Sequence, residues 1–343
     1  MQAVLQYGIR ELRVAELPPP TPGPGEVLLR LRAVTICASD LHIYAEGNVG
    51  GVSWDRPFVP GHEAAGVVED SRGTSLAVGA PVVIDPAIPC RACEQCDRGN
   101  YHLCRHLRFC DLPPTDGAMQ ELLAWPASQV FRVPEVLDLT LAPLIEPLCV
   151  GVHATELASH LEGATVAVLG CGAVGLCTVQ MARVRGAKRI FAVDPIPERR
   201  AVARALGADE VIPGGGPDTA THLLSLTQGR GVDVAFEAAG PLEAVQQCLD
   251  VVAPAGEVVV IGIPSEDSYS LRPSQLRRRE LTLRFCRRQN DNFPEAISLV
   301  REGKVQLGPM LTHRFPMAQV QEAFEFAEAK AEGAVRVAVV FGE

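Results

Sequence analysis

The chain has no uninterrupted apolar stretch approaching the roughly 18 to 20 residues that a membrane helix needs, so no membrane partner is expected. Its opening, MQAVLQYGIRELRVAELPPP, shows no apolar core behind a basic start; no secretory leader is expected, and a cytoplasmic location is the expectation that follows. Excess positive charge is missing too. The formal net charge is −10, and a surface that binds phosphate backbones needs a cationic face, so nucleic acid is not expected as the main partner. There is no internal repeat of useful length, and the single low-complexity patch, PGGGPD at 213–218, has the composition of a surface loop. An even cysteine count is also absent: eleven cysteines in a reducing compartment read as thiols or metal ligands rather than as a disulfide framework.

What is present points to two domains, for which 343 residues are ample. From Gln2 to about Ala124 the residues form short alternating runs broken by Pro and Gly, such as EVLLRLRAV (26–34) and APVVI (80–84), the pattern of a β-rich domain. After about Pro147, apolar β-branched runs alternate with amphipathic helical stretches: TVAVLG, VGLCTVQMARVRG, RIFAVD, PERRAVARALG, VDVAFEAAG, GEVVVIGIP. That alternation predicts a parallel, doubly wound sheet, and hence an α/β protein. Near Arg284 it stops. A helix over 292–302, the segment LTHRFP and a strand-like VRVAVVF follow, and periodicity leaves open whether this tail ends the second domain or returns to the first.

The apolar strand Val166–Leu169 runs into Gly170-Cys171-Gly172-Ala173-Val174-Gly175 and then a helix, which is G-x-G-x-x-G in its required context. Small residues there let the backbone approach a pyrophosphate, whose charge the helix start favours. The next strand ends at Asp194, nineteen residues after Gly175, where an acid can bind both ribose hydroxyls and repel a 2′-phosphate, favouring NAD over NADP. The plainer reading of Asp194 is a cap on the following helix. Arg199 reads equally as a contact to the adenosine or as a solvated helix charge.

Cys90, Cys93, Cys96 and Cys104 have the spacing C-x2-C-x2-C-x7-C. Four thiolates complete zinc's coordination and leave no open position, so this predicts a structural zinc; iron is the rival. A metal that does chemistry needs a mixed, incomplete set, for which Cys37 in ICASDLH, His62 and Glu63 in PGHEAAG, and Glu146 in LIEPLCVGVH are candidates. Singly, each has a plain alternative: a small buried thiol, a turn histidine, a helix-cap acid.

Together these segments resemble the zinc-dependent medium-chain alcohol dehydrogenases, and within them the sorbitol (polyol) dehydrogenase group. PGPGEVLLRL, ICASDLH, PGHEAAGVV, the four-cysteine lobe, GCGAVG, the AVD strand end and THRFP occur in the family's order over nearly the whole chain. The resemblance implies a GroES-like catalytic domain over 1–148 with a structural zinc lobe at about 89–106, a Rossmann domain over 149–286, and a return to the catalytic domain over 287–343. The active site would lie in the cleft between them, and a homotetramer is the family expectation.

Matched residue by residue, the resemblance makes Cys37, His62 and Glu63 ligands of a catalytic zinc, with Glu146 holding a water there or taking a turn as ligand. Gly170, Gly172 and Gly175, with Ala173 and Val174 between them, would cradle the pyrophosphate of NAD, Asp194 the ribose, and Arg199 the adenosine side. Backbone groups from Ile261 to Ile263 would meet the nicotinamide carboxamide. The implied reaction is hydride transfer from a secondary alcohol to NAD⁺, giving a ketone. Ser39 matches the hydroxyl that relays the proton, and His42 reads either as its onward base or as a surface histidine on a turn.

The alcohol is less defined. CASDLHIY is shared with threonine dehydrogenases, whereas FCDLPPTDG, EPLCVGVHA and THRFPMAQVQEAFEF resemble the polyol group. Phe109 would wall the substrate pocket and Arg288 would bind substrate hydroxyls; Gln289 stands where sorbitol dehydrogenases usually have tyrosine, making the pocket more polar. A sorbitol-, xylitol- or cyclitol-like substrate is expected, with an L-threonine or aminocyclitol dehydrogenase as the alternative and a non-catalytic nucleotide-binding relative as the remote one. Cys171 stands where many relatives have alanine, which raises the expectation of a reactive thiol in the turn.

Overall fold

A computed structural model of the chain describes residues 1–49, 51–264 and 268–342. The chain divides into two compact units, one comprising Met1–Glu146, Phe293–Arg301 and Leu311–Glu343, the other Pro147–Asn292 and Glu302–Met310.

The first unit is built on the strand Glu26–Thr35, EVLLRLRAVT, whose alternate residues are buried along most of its length, as a half-covered strand requires. It pairs antiparallel with Glu63–Asp70, with Leu122–Pro126 and with the chain's last strand, Arg336–Val340. The seven-stranded sheet runs Val130–Arg132, Pro81–Ile84, Glu63–Asp70, Glu26–Thr35, Arg336–Val340, Leu311–Pro316, with Leu122–Pro126 also against Glu26–Thr35. Leu29, Leu31, Val34, Tyr44, Met119, Trp125 and Phe324 lie at its core. The closing RVAVV is buried almost throughout, and it meets that demand by pairing on both edges, antiparallel to one neighbour and parallel to the other.

The second unit carries a six-stranded parallel sheet in the order Glu210–Pro213, Arg189–Asp194, Thr165–Leu169, Val232–Glu237, Val252–Val260, Thr282–Phe285. In chain order this is 3-2-1-4-5-6, the dinucleotide-binding arrangement. Its inner strands are nearly continuous apolar runs because both faces are covered. Glu302–Met310 is tied to this unit through Gln180, whose Oε1 accepts the Gln306 N–H at 2.8 Å and whose Nε2 donates to the Gln306 carbonyl at 3.1 Å. Among the described residues, no helix is long and apolar enough to cross a membrane.

Candidate active site and metal centres

Strand register assembles the first cluster. Thr35 stands opposite Glu63, so Cys37, two residues beyond the first strand, meets His62 and Glu63 at the start of the second. Gly61 lets the chain enter that strand: its φ is +90°, and a Cβ there would come within 2.8 Å of Met119 and Val34. One ligand atom from each of Cys37, His62 and Glu63 lies within 4.8 Å of the others. A half-buried cysteine sulfur beside a buried imidazole and a buried carboxylate is a mixed, three-ligand set of the kind a catalytic zinc uses, and the residues fit that ion.

Glu63 is anchored from two sides. The Thr35 hydroxyl donates to its Oε2 and the Arg336 guanidinium to its Oε1. Arg336 also donates to the Ile36 carbonyl at 2.9 Å and lies 3.9 Å from the Cys37 sulfur. Burial opposes its charge, but Glu63, Cys37 and Glu146 outweigh burial and hold the guanidinium protonated.

His62 directs Nδ1 at Asp111 Oδ2, 2.6 Å away, which leaves Nε2 as the nitrogen free to face a metal. Asp40 lies on the same side, its Oδ1 3.8 Å from Nδ1 and its Oδ2 accepting the Cys37 N–H at 2.7 Å. Burial works against protonation of His62, yet Asp111, Cys37 and Asp40 together raise its pKa well above the ordinary imidazole value. Burial, with Asp111 adding to it, pushes Asp40 far above the carboxylate range. Sequence reading singled out neither aspartate. Asp40 carried a local signal, the reciprocal cap Cys37-x-x-Asp40 at the start of the helix Ala38–Glu46; Asp111, 49 residues from His62, carried none.

Glu146 is buried in the first turn of the helix Ile145–Leu157. Its pKa is pushed up to about 7 by burial and then by the Glu63 carboxylate, and it lies outside the Cys37–His62–Glu63 group. Ser39 is half-buried in the first turn of Ala38–Glu46; His42, a turn later, has Nδ1 3.4 Å from Glu46 Oε1. The Phe109 ring lies against the imidazole of His62, centroids 5.3 Å apart.

The second cluster is local. Cys93 and Cys96 bracket the start of the short helix Glu94–Asp97, and all four sulfurs of Cys90, Cys93, Cys96 and Cys104 lie within 4.8 Å. The Cys93 sulfur is 3.6 Å from that of Cys96 and 3.9 Å from that of Cys104. A tetrahedral zinc with Zn–S bonds of about 2.3 Å spaces its sulfurs about 3.8 Å apart, so this lobe fits zinc as found. The Cys96 and Arg105 backbone N–H groups lower the Cys93 thiol to about 6, while burial raises Cys104 to about 11.

In the second unit the glycines of the turn serve different ends. A Cβ on Gly175 would sit 1.8 Å from the Gly170 carbonyl oxygen, and one on Gly170 would strike the Ala238 backbone at 2.7 Å, so both are demanded by the fold. A Cβ added to Gly172, at the N-cap of the helix Ala173–Val184, would meet no atom within 4 Å apart from its chain neighbours. Open space beside a helix N-terminus fits a dinucleotide pyrophosphate. Asp194 is buried, its Oδ2 accepting the Cys171 N–H and its Oδ1 the Ile196 N–H, each at 2.8 Å, with a lone pair left on each oxygen for a further donor; it is not the cap of the next helix, Pro197–Ala205, whose N-cap is Ile196. Arg199 is half-buried, and its positive charge partly offsets the effect of burial and Asp194 on the Cys171 thiol. The expectation for Cys171 is corrected: it is fully buried, and burial followed by the Asp194 charge raises its pKa far above that of a reactive thiol.

Glu237, which the sequence reading passed over, ties the neighbouring loops together at the end of the strand Val232–Glu237. Its Oε1 accepts the N–H groups of Ala239 and Gly240 at 2.7 Å and its Oε2 that of Gly262 at 3.2 Å, while its carbonyl accepts the Ile261 N–H at 2.8 Å. Ile261 is thereby held and Ile263 is exposed. Arg288 is half-buried with a φ of +56°, and Gln289 beside it is buried at 2% exposure.

A mixed-ligand metal cluster, a four-thiolate lobe and a 3-2-1-4-5-6 nucleotide sheet define a zinc-binding, nicotinamide-dependent dehydrogenase. Residues 23–135 match the model of the alcohol dehydrogenase GroES-like domain and residues 173–302 that of the zinc-binding dehydrogenase. The chain is 34% identical to sorbitol dehydrogenase of Bacillus subtilis (strain 168), over 95% of this chain and 93% of that one. It is 33% identical to L-idonate 5-dehydrogenase of Vitis vinifera, over 96% and 92%. An alcohol dehydrogenase of Escherichia coli CFT073 solved with NADH superposes with a TM-score of 0.91 at 28% identity, covering 99% of each chain. The chain belongs to the zinc-dependent medium-chain alcohol dehydrogenase superfamily, in its sorbitol dehydrogenase-like group. It is accordingly an oxidoreductase of polyol CH–OH groups that uses zinc and a nicotinamide dinucleotide.

Proposed function

We propose that this chain oxidises one secondary hydroxyl of a sorbitol-, xylitol- or cyclitol-like polyol to a ketone with NAD⁺, at a metal held by Cys37, His62 and Glu63. The observation that carries the reading is the convergence of those three ligand atoms within 4.8 Å. Zinc bound there supplies Lewis-acid polarisation of the alcohol. Arg336 and Thr35 hold Glu63 in place, and Asp40 holds the Cys37 backbone. Glu146, with a pKa of about 7, is matched to taking up and giving back a proton near neutral pH. Ser39 passes the substrate's proton outward and His42 receives it. Phe109 packs the wall beside His62, and Arg288 and Gln289 offer hydrogen bonds to the remaining hydroxyls.

On the cofactor side, Gly170, Gly172, Ala173, Val174 and Gly175 take the pyrophosphate, Asp194 the ribose, Arg199 the adenosine, and Ile261 and Ile263 the nicotinamide. A 2′-phosphate beside the Asp194 carboxylate would be repelled, which supports NAD over NADP. The cysteine usage favours a reducing, cytoplasmic setting. A homotetramer rests on the resemblance to the polyol dehydrogenases.

The test is NADH formation by zinc-replete protein across sorbitol, xylitol, tetritols, inositols, 2,3-butanediol and L-threonine, with NADP⁺ run in parallel. Turnover of a polyol with NAD⁺ supports the proposal; turnover of L-threonine alone, or none, overturns it. Metal analysis accompanies it: two zinc ions per chain are expected, falling to one in both Cys37→Ala and Cys93→Ala, with NADH still bound by each.

A further inference from the structure

His62 faces two buried carboxylates, and they are not equivalent. Asp40, at 1% exposure, already accepts the Cys37 N–H through Oδ2, and its Oδ1 stands 3.8 Å from Nδ1, beyond hydrogen-bond reach. Asp111, at 2% exposure, is 2.6 Å from the same nitrogen.

The backbone around Asp111 is shaped to deliver that carboxylate. Its φ is +68°, a left-handed conformation that costs an L-residue on the order of 1 kcal/mol or more. Three hydrogen bonds hold the turn in this form: Cys110 N–H to the Pro86 carbonyl at 2.9 Å, Leu112 N–H to that of Phe109 at 3.1 Å, and Trp54 Nε1–H to that of Asp111 itself at 3.3 Å. Glycine would relieve the backbone at this position, yet the chain places a buried aspartate there.

We propose that Asp111 is the positioning residue of the centre at Cys37, His62 and Glu63: it takes the Nδ1–H of His62 and turns Nε2 toward the metal, while Asp40 holds Cys37. A ligating imidazole that donates its second N–H to a carboxylate is fixed in tautomer and orientation and becomes a stronger base. The inference rests on the ligand reading proposed above and adds a residue that the ligand motifs do not contain.

The experiment follows zinc, not turnover. Full-length protein loaded with zinc is titrated with a competing chelator, and bound zinc per chain is measured for wild type, Asp111→Gly, Asp111→Asn and Asp40→Asn. Glycine accepts the left-handed φ and removes the carboxylate; asparagine also tolerates that φ and leaves a neutral acceptor. In Asp111→Gly one of two zinc ions should bind about 10- to 100-fold more weakly. The four-cysteine zinc and NADH binding should stay as in wild type, reporting an intact fold. Asp111→Asn should fall between the two, and it decides the matter if the glycine variant does not fold. The d–d spectrum of the cobalt-substituted centre should shift in both Asp111 variants. Wild-type affinity for both ions in the Asp111 variants overturns the role of Asp111, as does a loss caused by Asp40→Asn alone. A wild type holding only the four-cysteine zinc overturns the ligand reading, and the role of Asp111 with it.

Discussion

Arg336 and Glu63, 273 positions apart in the chain, form a buried ion pair at the edge of the ligand cluster. The pair exists because the last strand docks beside Glu26–Thr35, bringing Arg336 to Ile36 and Cys37 just as strand register brings Glu63 opposite Thr35. Breaking a buried pair by removing one partner costs about 3–5 kcal/mol, because the other charge is left without compensation. Arg336→Met should therefore destabilise the metal-free chain by about that amount in urea denaturation, and adding Glu63→Gln should restore most of it. A single-variant loss below about 1 kcal/mol would contradict this, since it is the size of an exposed pair.

The turn glycines should separate stability from nucleotide binding. The methyl added in Gly172→Ala would meet no atom within 4 Å apart from its chain neighbours, so the melting temperature should stay within a few degrees of wild type while NADH affinity, read by fluorescence titration, drops sharply. Gly175→Ala drives a methyl into the Gly170 carbonyl oxygen and should lose stability along with binding. Equal losses of stability in the two variants would show that Gly172 serves the fold and not the ligand.

Glu146 sets a pH dependence in the metal-free protein. Its pKa rises from an ordinary 4.5 to about 7 in the folded chain, through burial and then Glu63, so between those values the folded state binds more protons than the unfolded state. Its contribution is complete below about pH 4.5 and is lost as pH rises through about 7. Denaturation midpoints should decline across that window, and Glu146→Gln, which has no proton to lose, should flatten the decline. An unchanged slope in that variant would remove Glu146 as its source.

Thiol reactivity in the metal-free chain should begin at Cys93. Backbone N–H groups hold its pKa near 6, so it is largely thiolate at neutral pH, whereas burial keeps Cys171 and Cys248 protonated and closed to reagent. Timed iodoacetamide labelling read by mass spectrometry should find Cys93 modified first, with Cys171 silent until unfolding, and zinc should protect Cys93. Early labelling of Cys171 would restore the reactive-turn reading that its burial removes.

Most of the Rossmann sheet could be read ahead of the structure because its inner strands are short apolar runs followed by amphipathic helices, a pattern complete within about thirty residues; the edge strand Thr282–Phe285, TLRF, carries no such run and was not read. Asp40 was within reach for a similar reason, as half of a cap closed over three residues. Asp111 and Arg336 were not. An aspartate in a proline-rich turn and an arginine opening an apolar strand look like surface charges until the partners they meet across 49 and 273 residues are known. Glu237 was hidden differently: it ends a strand as many carboxylates do, and only the fold shows it collecting backbone N–H groups from two loops.

The sequence by itself determined whatever chemistry closes over short spans. The four-cysteine lobe gathers its ligands within fifteen residues, and the glycine turn presents its backbone within six, so composition and spacing suffice. Tertiary structure alone decided how Cys37, His62, Glu63, Asp111 and Arg336 meet. Their proximity depends on strand register and on which strands share an edge, and both are set by burial of apolar faces far from the residues that do the chemistry.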